Sequence, residues 1–113
     1  MNLYKTIVDY VKTNYVVECA CACKGWVTEK GEVRVEWDLK DDETEFYITL
    51  LHEFVHLDRG DHLKRLEGRH KEENENQVES LAIYLYHNNP YLVNFLRHKV
   101  RVSKYDYGQK AIS

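Results

Sequence analysis

Apolar residues recur every three to four positions in several stretches of this chain, which is the spacing of one face of a helix. The pattern predicts helices at residues 2–15, about 43–57 and about 75–88, and a last helix that Pro90 opens. The acids of "KDDETE" precede the second of these, as they often do at a helix start. Residues 58–74 are polar and contain two glycines, so a loop with room for one short helical turn is predicted there.

Alternating apolar and polar residues predict a small sheet beside these helices. The segment "YVVECACAC" indicates one strand, "WVTEKGEVRVEWDL" indicates a hairpin that turns at "EKGE", and "VRVSKYDYG" is a candidate edge strand. We therefore expect an α+β fold in which a small antiparallel sheet of two to three strands packs against the helices. The three alternating cysteines favour a buried strand of small residues, with a second metal site or a redox role as the alternatives.

Length and composition narrow the class of protein. A chain of 113 residues suits one domain, which the pattern divides into residues 1–40 with a helix and the hairpin, 43–90 with two helices, and 91–113 with the last helix and the tail. The net charge of −3 argues against a nucleic-acid-binding protein, because such domains are usually basic overall. We expect no membrane partner and, because the first residues lack the apolar core of a secretory signal, a cytoplasmic location.

The segment "HEFVH" carries the strongest chemical signal. His52 and His56 are four residues apart in a predicted helix, so both imidazoles lie on one face and can reach one zinc ion. Glu53 stands beside them, where it can act as the general base on a zinc-activated water. This apolar stretch would be a costly place for two unpaired imidazoles and a carboxylate. The sequence therefore predicts a zinc site.

A third ligand can come from a histidine downstream. His62 lies where metzincins place their third histidine, but Arg59 stands at the position of the metzincin glycine and the only methionine is Met1. SprT-like proteins are a looser precedent for a downstream histidine, which here is His62 or His70.

A glutamate from the next helix is the preferred alternative. Glu75 and Glu79 are one turn apart in "ENQVESLAIYLY" and share a face. Glu79 lies between Val78 and Leu81 on the apolar stripe, whereas Glu75 lies in a polar run. We therefore predict Glu79 as the third ligand and Glu75 as a candidate partner of the ligands.

Two segments together resemble a known family. "ITLLHEFVH", followed by an amphipathic helix that contains "VESLAIYLY", resembles the ImmA/IrrE-type metallopeptidases, especially the short versions that bacteriophages carry. The resemblance covers about residues 43–90. It implies a minimal zincin-like domain of the gluzincin type, in which His52, His56 and Glu79 bind zinc and Glu53 is the base. The candidates for the residue that orients a ligating histidine are Glu75 and Asp58. It also implies a protein or peptide substrate, such as a transcriptional regulator.

Other classes of function remain open from the residues alone. A zinc ion with four protein ligands, including His62, would indicate a protein-interaction module without catalysis, because structural zinc sites are closed. The basic segment "RHKVRVSKYDYG" is the one feature that favours nucleic acid, and such a run is usually a solvated face.

Overall fold

The computed structural model describes residues 2–19, 24–36, 42–64 and 67–104, which form an α+β fold. In this part of the chain there are four helices and four strands. The helices are α1 (Leu3–Thr13), α2 (Glu43–Arg59), α3 (Gly68–Asn88) and α4 (Pro90–Lys99). The strands are β1 (Val16–Cys19), β2 (Gly25–Val27), β3 (Val33–Glu36) and β4 (Val102–Lys104). A 3-10 turn, Asp61–Leu63, connects α2 to α3.

The sheet is mixed, which corrects the prediction of an antiparallel sheet of two to three strands. Its order is β2-β3-β1-β4, and only the β2–β3 hairpin is antiparallel. The β3 strand of this hairpin lies beside β1, and the two strands are parallel. On its other side β1 pairs with β4, also in parallel. The sequence pattern identifies strands but does not say which strand of a hairpin faces a third one. Cys21 and Cys23 lie outside the described residues.

The predicted first, second and last helices are confirmed with small changes at their ends, but the predicted loop at residues 58–74 is partly wrong. α3 begins at Gly68, seven residues before the predicted start. Residues 68–73 at its start are exposed, and Arg69 pairs with Glu73 at 3.1 Å across one turn. A solvated helix start has no apolar stripe, so periodicity does not detect it.

α2 is the central helix and packs against α1, α3, β2 and β3. Asp42 caps its first turn by accepting a hydrogen bond from the backbone N–H of Glu45, and Gly60 ends it in the left-handed conformation. One face of α2 enters the core, whose buried members are Ile7, Tyr10, Val16, Val33, Val35, Phe46, Leu50, Leu51, Phe54, Ala82, Leu92, Val93 and Leu96. This packing fixes the helix that carries the "HEFVH" segment. None of the helices in the described ranges is long and apolar enough to cross a membrane.

Candidate metal centre

The two histidines of "HEFVH" face each other, as their spacing on α2 requires. The Nε2 atoms of His52 and His56 are 3.1 Å apart, and the ring centroids are 4.8 Å apart. Both side chains are nearly buried, with 13% and 10% of their surfaces exposed. Two imidazole nitrogens this close together could both bind one metal ion.

Glu75 of α3 completes the group. Its Oε2 lies 3.0 Å from Nε2 of His52, and its Oε1 lies 3.0 Å from Nε2 of His56. Ligands at about 2.0–2.1 Å from a tetrahedral ion stand roughly 3.3 Å from one another. The observed separations are close to that value, and two imidazoles with one carboxylate are a donor set that zinc accepts. His52, His56 and Glu75 can therefore hold a metal ion.

Glu79 takes a different position from the one that the sequence favoured. Its Oε2 lies 3.7 Å from Nδ1 of His52, which is the ring nitrogen opposite the one that faces Glu75. The sequence argument relied on the burial of neighbouring residues, but the side chains of Glu75 and Glu79 are about equally exposed, at 46% and 50%. A carboxylate beside the second nitrogen orients a ligating histidine. The group that could hold a metal ion in this structure thus includes Glu75, and the ligand role of Glu79 stays a prediction.

Sequence reasoning missed Asp61, the partner of His56. Its Oδ2 lies 2.9 Å from Nδ1 of His56, and Asn74 donates a hydrogen bond to the same oxygen at 3.2 Å. Burial opposes ionisation of this carboxyl, but the hydrogen bonds from His56, Asn74 and Lys64 leave the pKa of Asp61 below its ordinary value. The only signal in the sequence is an acid shortly after the second histidine. That signal fits Asp58 equally well, and in the structure Asp58 instead bonds to Thr6.

Neither histidine proposed as an alternative ligand joins the group. His62 lies near the β2–β3 turn, where its Nε2 is 3.8 Å from the position of a β-carbon built on Gly31. Within the described part of the chain, nothing bonds to the buried Nδ1 of His62. His70 lies on an exposed part of α3.

Glu53 is buried at 5% exposure and lines a cavity of about 180 Å³ together with His52, Glu75 and Glu79. Burial, followed by the nearby charges of Glu75 and Glu79, raises the pKa of Glu53 to about 8. A buried carboxyl with this pKa in a cleft of titratable groups is typical of a functional site.

Gly25 allows β2 to form the opposite wall of this cavity. A β-carbon at Gly25 would lie 3.1 Å from Cγ2 of Thr49 and 3.3 Å from Cγ of Glu53, and only 2.8 Å from the carbonyl oxygen of Arg34. Glycine is therefore required where the edge strand passes over α2 beside the buried carboxyl.

Comparison of the chain with protein-family models, with curated proteins and with solved structures finds no match in any of the three.

Proposed function

We propose that this protein is a zinc-dependent metallopeptidase of the gluzincin type. The observation that carries the proposal is the convergence of two Nε2 atoms and the Glu75 carboxylate, within about 3 Å of one another, beside the buried Glu53. The resemblance of "HEFVH" and "VESLA" to ImmA/IrrE-type metallopeptidases supports the same reading.

His52, His56 and Glu75 would hold the ion. Zinc is the proposed metal because imidazole nitrogen and carboxylate oxygen are common zinc ligands, and three protein ligands leave a position for water or substrate. A zinc ion bound here would polarise the scissile carbonyl and lower the pKa of its water toward ~7. Asp61 and Glu79 would hold the two imidazole rings so that both Nε2 atoms point at the ion.

Glu53 would be the general base. Its carboxylate would take a proton from the attacking water and deliver that proton to the nitrogen of the leaving amine. The pKa of about 8 belongs to the protein without a cation in the group. A cation nearby lowers the pKa of a carboxyl, which brings Glu53 into the ionised form that a base requires at neutral pH.

The proposed substrate is an extended peptide segment of a protein. Among the described residues, β2 is one of the two edge strands of the sheet, and it contributes Gly25 and Val27 to the two cavities that contact the histidine–glutamate group. An edge strand can bind an extended chain through its backbone. Family resemblance favours a cytoplasmic transcriptional regulator as the target.

The test is cleavage of a mixture of unstructured peptides by zinc-loaded protein, comparing wild type with Glu53→Gln. Glutamine keeps the shape of the side chain but cannot accept the proton, so we expect cleavage to fall by ~10²-fold or more while zinc content is unchanged. Glu43→Gln is the matched control, because Glu43 lies on the same helix and is exposed. It should cleave as wild type does.

Two results would contradict the proposal. Equal cleavage by wild type and Glu53→Gln would remove Glu53 from the chemistry. Absence of any metal-dependent cleavage by wild type, with zinc bound, would leave a zinc-binding interaction module as the better description.

A further inference from the structure

A second cavity, of about 270 Å³, opens on the other side of the histidine–glutamate group. His56 and Glu75 form part of its wall, so any occupant lies beside the proposed metal position. The edge strand contributes Val27, and the chain between α2 and α3 contributes His62 and Lys64. We refer to this space as the basic cavity, because Lys64 and Lys71 also line it.

The carboxylates that line the basic cavity have partners within the protein, whereas one of its lysines does not. Its two carboxylates already have partners, since Asp61 bonds to His56, Asn74 and Lys64 and Glu75 faces the two imidazoles. In the described residues Lys71 forms no ion pair, and Nδ1 of His62 has no hydrogen-bond partner although it is buried. An anion that enters this space therefore finds the ammonium group of Lys71 without an ion-pair partner in the described residues.

We propose that the basic cavity binds the carboxylate of an aspartate or glutamate side chain of the substrate, close to the scissile bond. This inference rests on the proposed peptidase function and adds a substrate class to it. A carboxylate is the peptide side-chain group that pairs with a lysine ammonium through a charge-assisted hydrogen bond. A bound divalent cation would make the cavity more attractive to an anion, since it would offset the charge of Glu75.

The direction of β2 assigns the acidic residue to the amino-terminal side of the scissile bond. β2 runs from Gly25, which lines the first cavity, to Val27, which lines the basic cavity. An antiparallel pairing is slightly more stable than a parallel one, so the substrate runs the other way along this edge. It passes the basic cavity before it reaches Glu53 and the first cavity.

Peptide hydroxamates test the inference without requiring turnover, because the hydroxamate binds the metal directly. Acetylated tripeptides that end in a hydroxamate place their residues on the amino-terminal side, and glutamate can be compared with glutamine at each of the three positions. With zinc-loaded protein, we expect calorimetry to show about tenfold tighter binding for glutamate at one position. High salt should reduce the preference.

The matched variants are Lys71→Gln and Lys12→Gln. Lys71 is exposed, so its replacement should leave the fold intact, and it should remove most of the preference for glutamate. Lys12 lines a separate cavity, and its replacement should leave the preference unchanged. A second series, in which the hydroxamate precedes the peptide, places the acid on the carboxyl-terminal side and should show no preference.

Each other outcome has a defined meaning. Equal affinities for glutamate and glutamine at all positions, or a preference that Lys71→Gln does not alter, would overturn the inference. A preference confined to the second series would overturn the assigned side. If no hydroxamate binds, the carboxylate site is overturned together with the metal centre. Preferential binding without any peptide cleavage would refute the peptidase function and leave the carboxylate site standing.

Discussion

Two cavities of this protein differ in size and in content, and the smaller is the better candidate for chemistry. The groove between α1 and α4 has a volume of about 500 Å³, whereas the cavity that contains Glu53 has about 180 Å³. The groove is lined by separate apolar and basic side chains, and its one histidine, His98, bonds to a backbone carbonyl of its own helix. The small cavity instead gathers carboxylates beside two converging imidazoles. Convergence of titratable groups, rather than volume, marks a functional site.

The largest expected difference between the two regions is in metal binding. Replacing both His52 and His56 by alanine removes two of the three proposed ligands, so metal content should fall from about one zinc per chain to none. His98→Ala removes a histidine of the groove and should retain the metal. Metal analysis of protein purified without chelators gives the zinc content of each variant. Equal metal content in the double variant and in wild type would show that the two histidines of α2 do not bind the metal.

The next effect separates Glu75 from Glu79. Glu75→Ala should lower zinc affinity by ~10³-fold, since it removes a ligand, whereas Glu79→Ala should lower it by ~10- to 100-fold through loss of the partner of His52. Competition with a chromophoric chelator gives both affinities. The reverse order would restore Glu79 as the ligand that the sequence favoured and would make Glu75 the orienting residue.

A further effect concerns stability and pH in the metal-free protein. The pKa of Glu53 is about 8 in the folded state, against 4.5 ordinarily, so between these values the folded protein holds a proton that the unfolded chain releases. The free energy of unfolding should therefore fall as the pH rises through this range, by an amount on the order of a few kcal/mol.

Glu53→Gln should remove that loss of stability. Denaturant unfolding at about pH 5 and about pH 9 compares the variant with wild type. Glu43→Gln serves as the control, and it should keep the dependence of wild type. A variant whose unfolding free energy falls by as much as that of wild type would show that Glu53 is not the titrating group.

The smallest effect is expected at Asp61. Asp61→Asn keeps a hydrogen-bonding oxygen but removes the charge beside Nδ1 of His56, so zinc affinity should fall by ~10-fold. Asp9→Asn is a control on α1, because Asp9 pairs with Lys5 in solvent. If Asp61→Asn binds zinc as tightly as wild type does, the hydrogen bond between Asp61 and His56 stabilises the turn between α2 and α3 and does not orient His56 for metal binding.

The sequence predicted the parts of this site that depend on a single helix. The positions of His52, Glu53 and His56 follow from helical periodicity alone, and α2 appears within two residues of its predicted end. The choice between Glu75 and Glu79 depends on how α3 lies against α2, which is a tertiary property. Helical periodicity restricts the third ligand to one face of α3, but it cannot choose between two positions on that face that are one turn apart.

The fold shows the same limit. Strands were identified where side chains alternate, but the parallel pairing of β1 with β3 and with β4 depends on contacts between distant segments. Asp61 was missed because its role requires the 3-10 turn to bring it back to His56, and no local pattern encodes that approach.

The pairing of β1 with β4 has a consequence for the order in which the chain folds. Val16 pairs with Val102, so this part of the sheet joins two strands that are far apart in the sequence, and the proposed metal-binding residues all lie between those strands. Contacts between such distant residues form slowly, because the entropy of closing a long loop opposes them. The contacts of α2 with α3 span a much shorter stretch. We therefore expect the helices that carry the histidines and glutamates to associate early, and the strand that follows them to complete the sheet in a later kinetic phase.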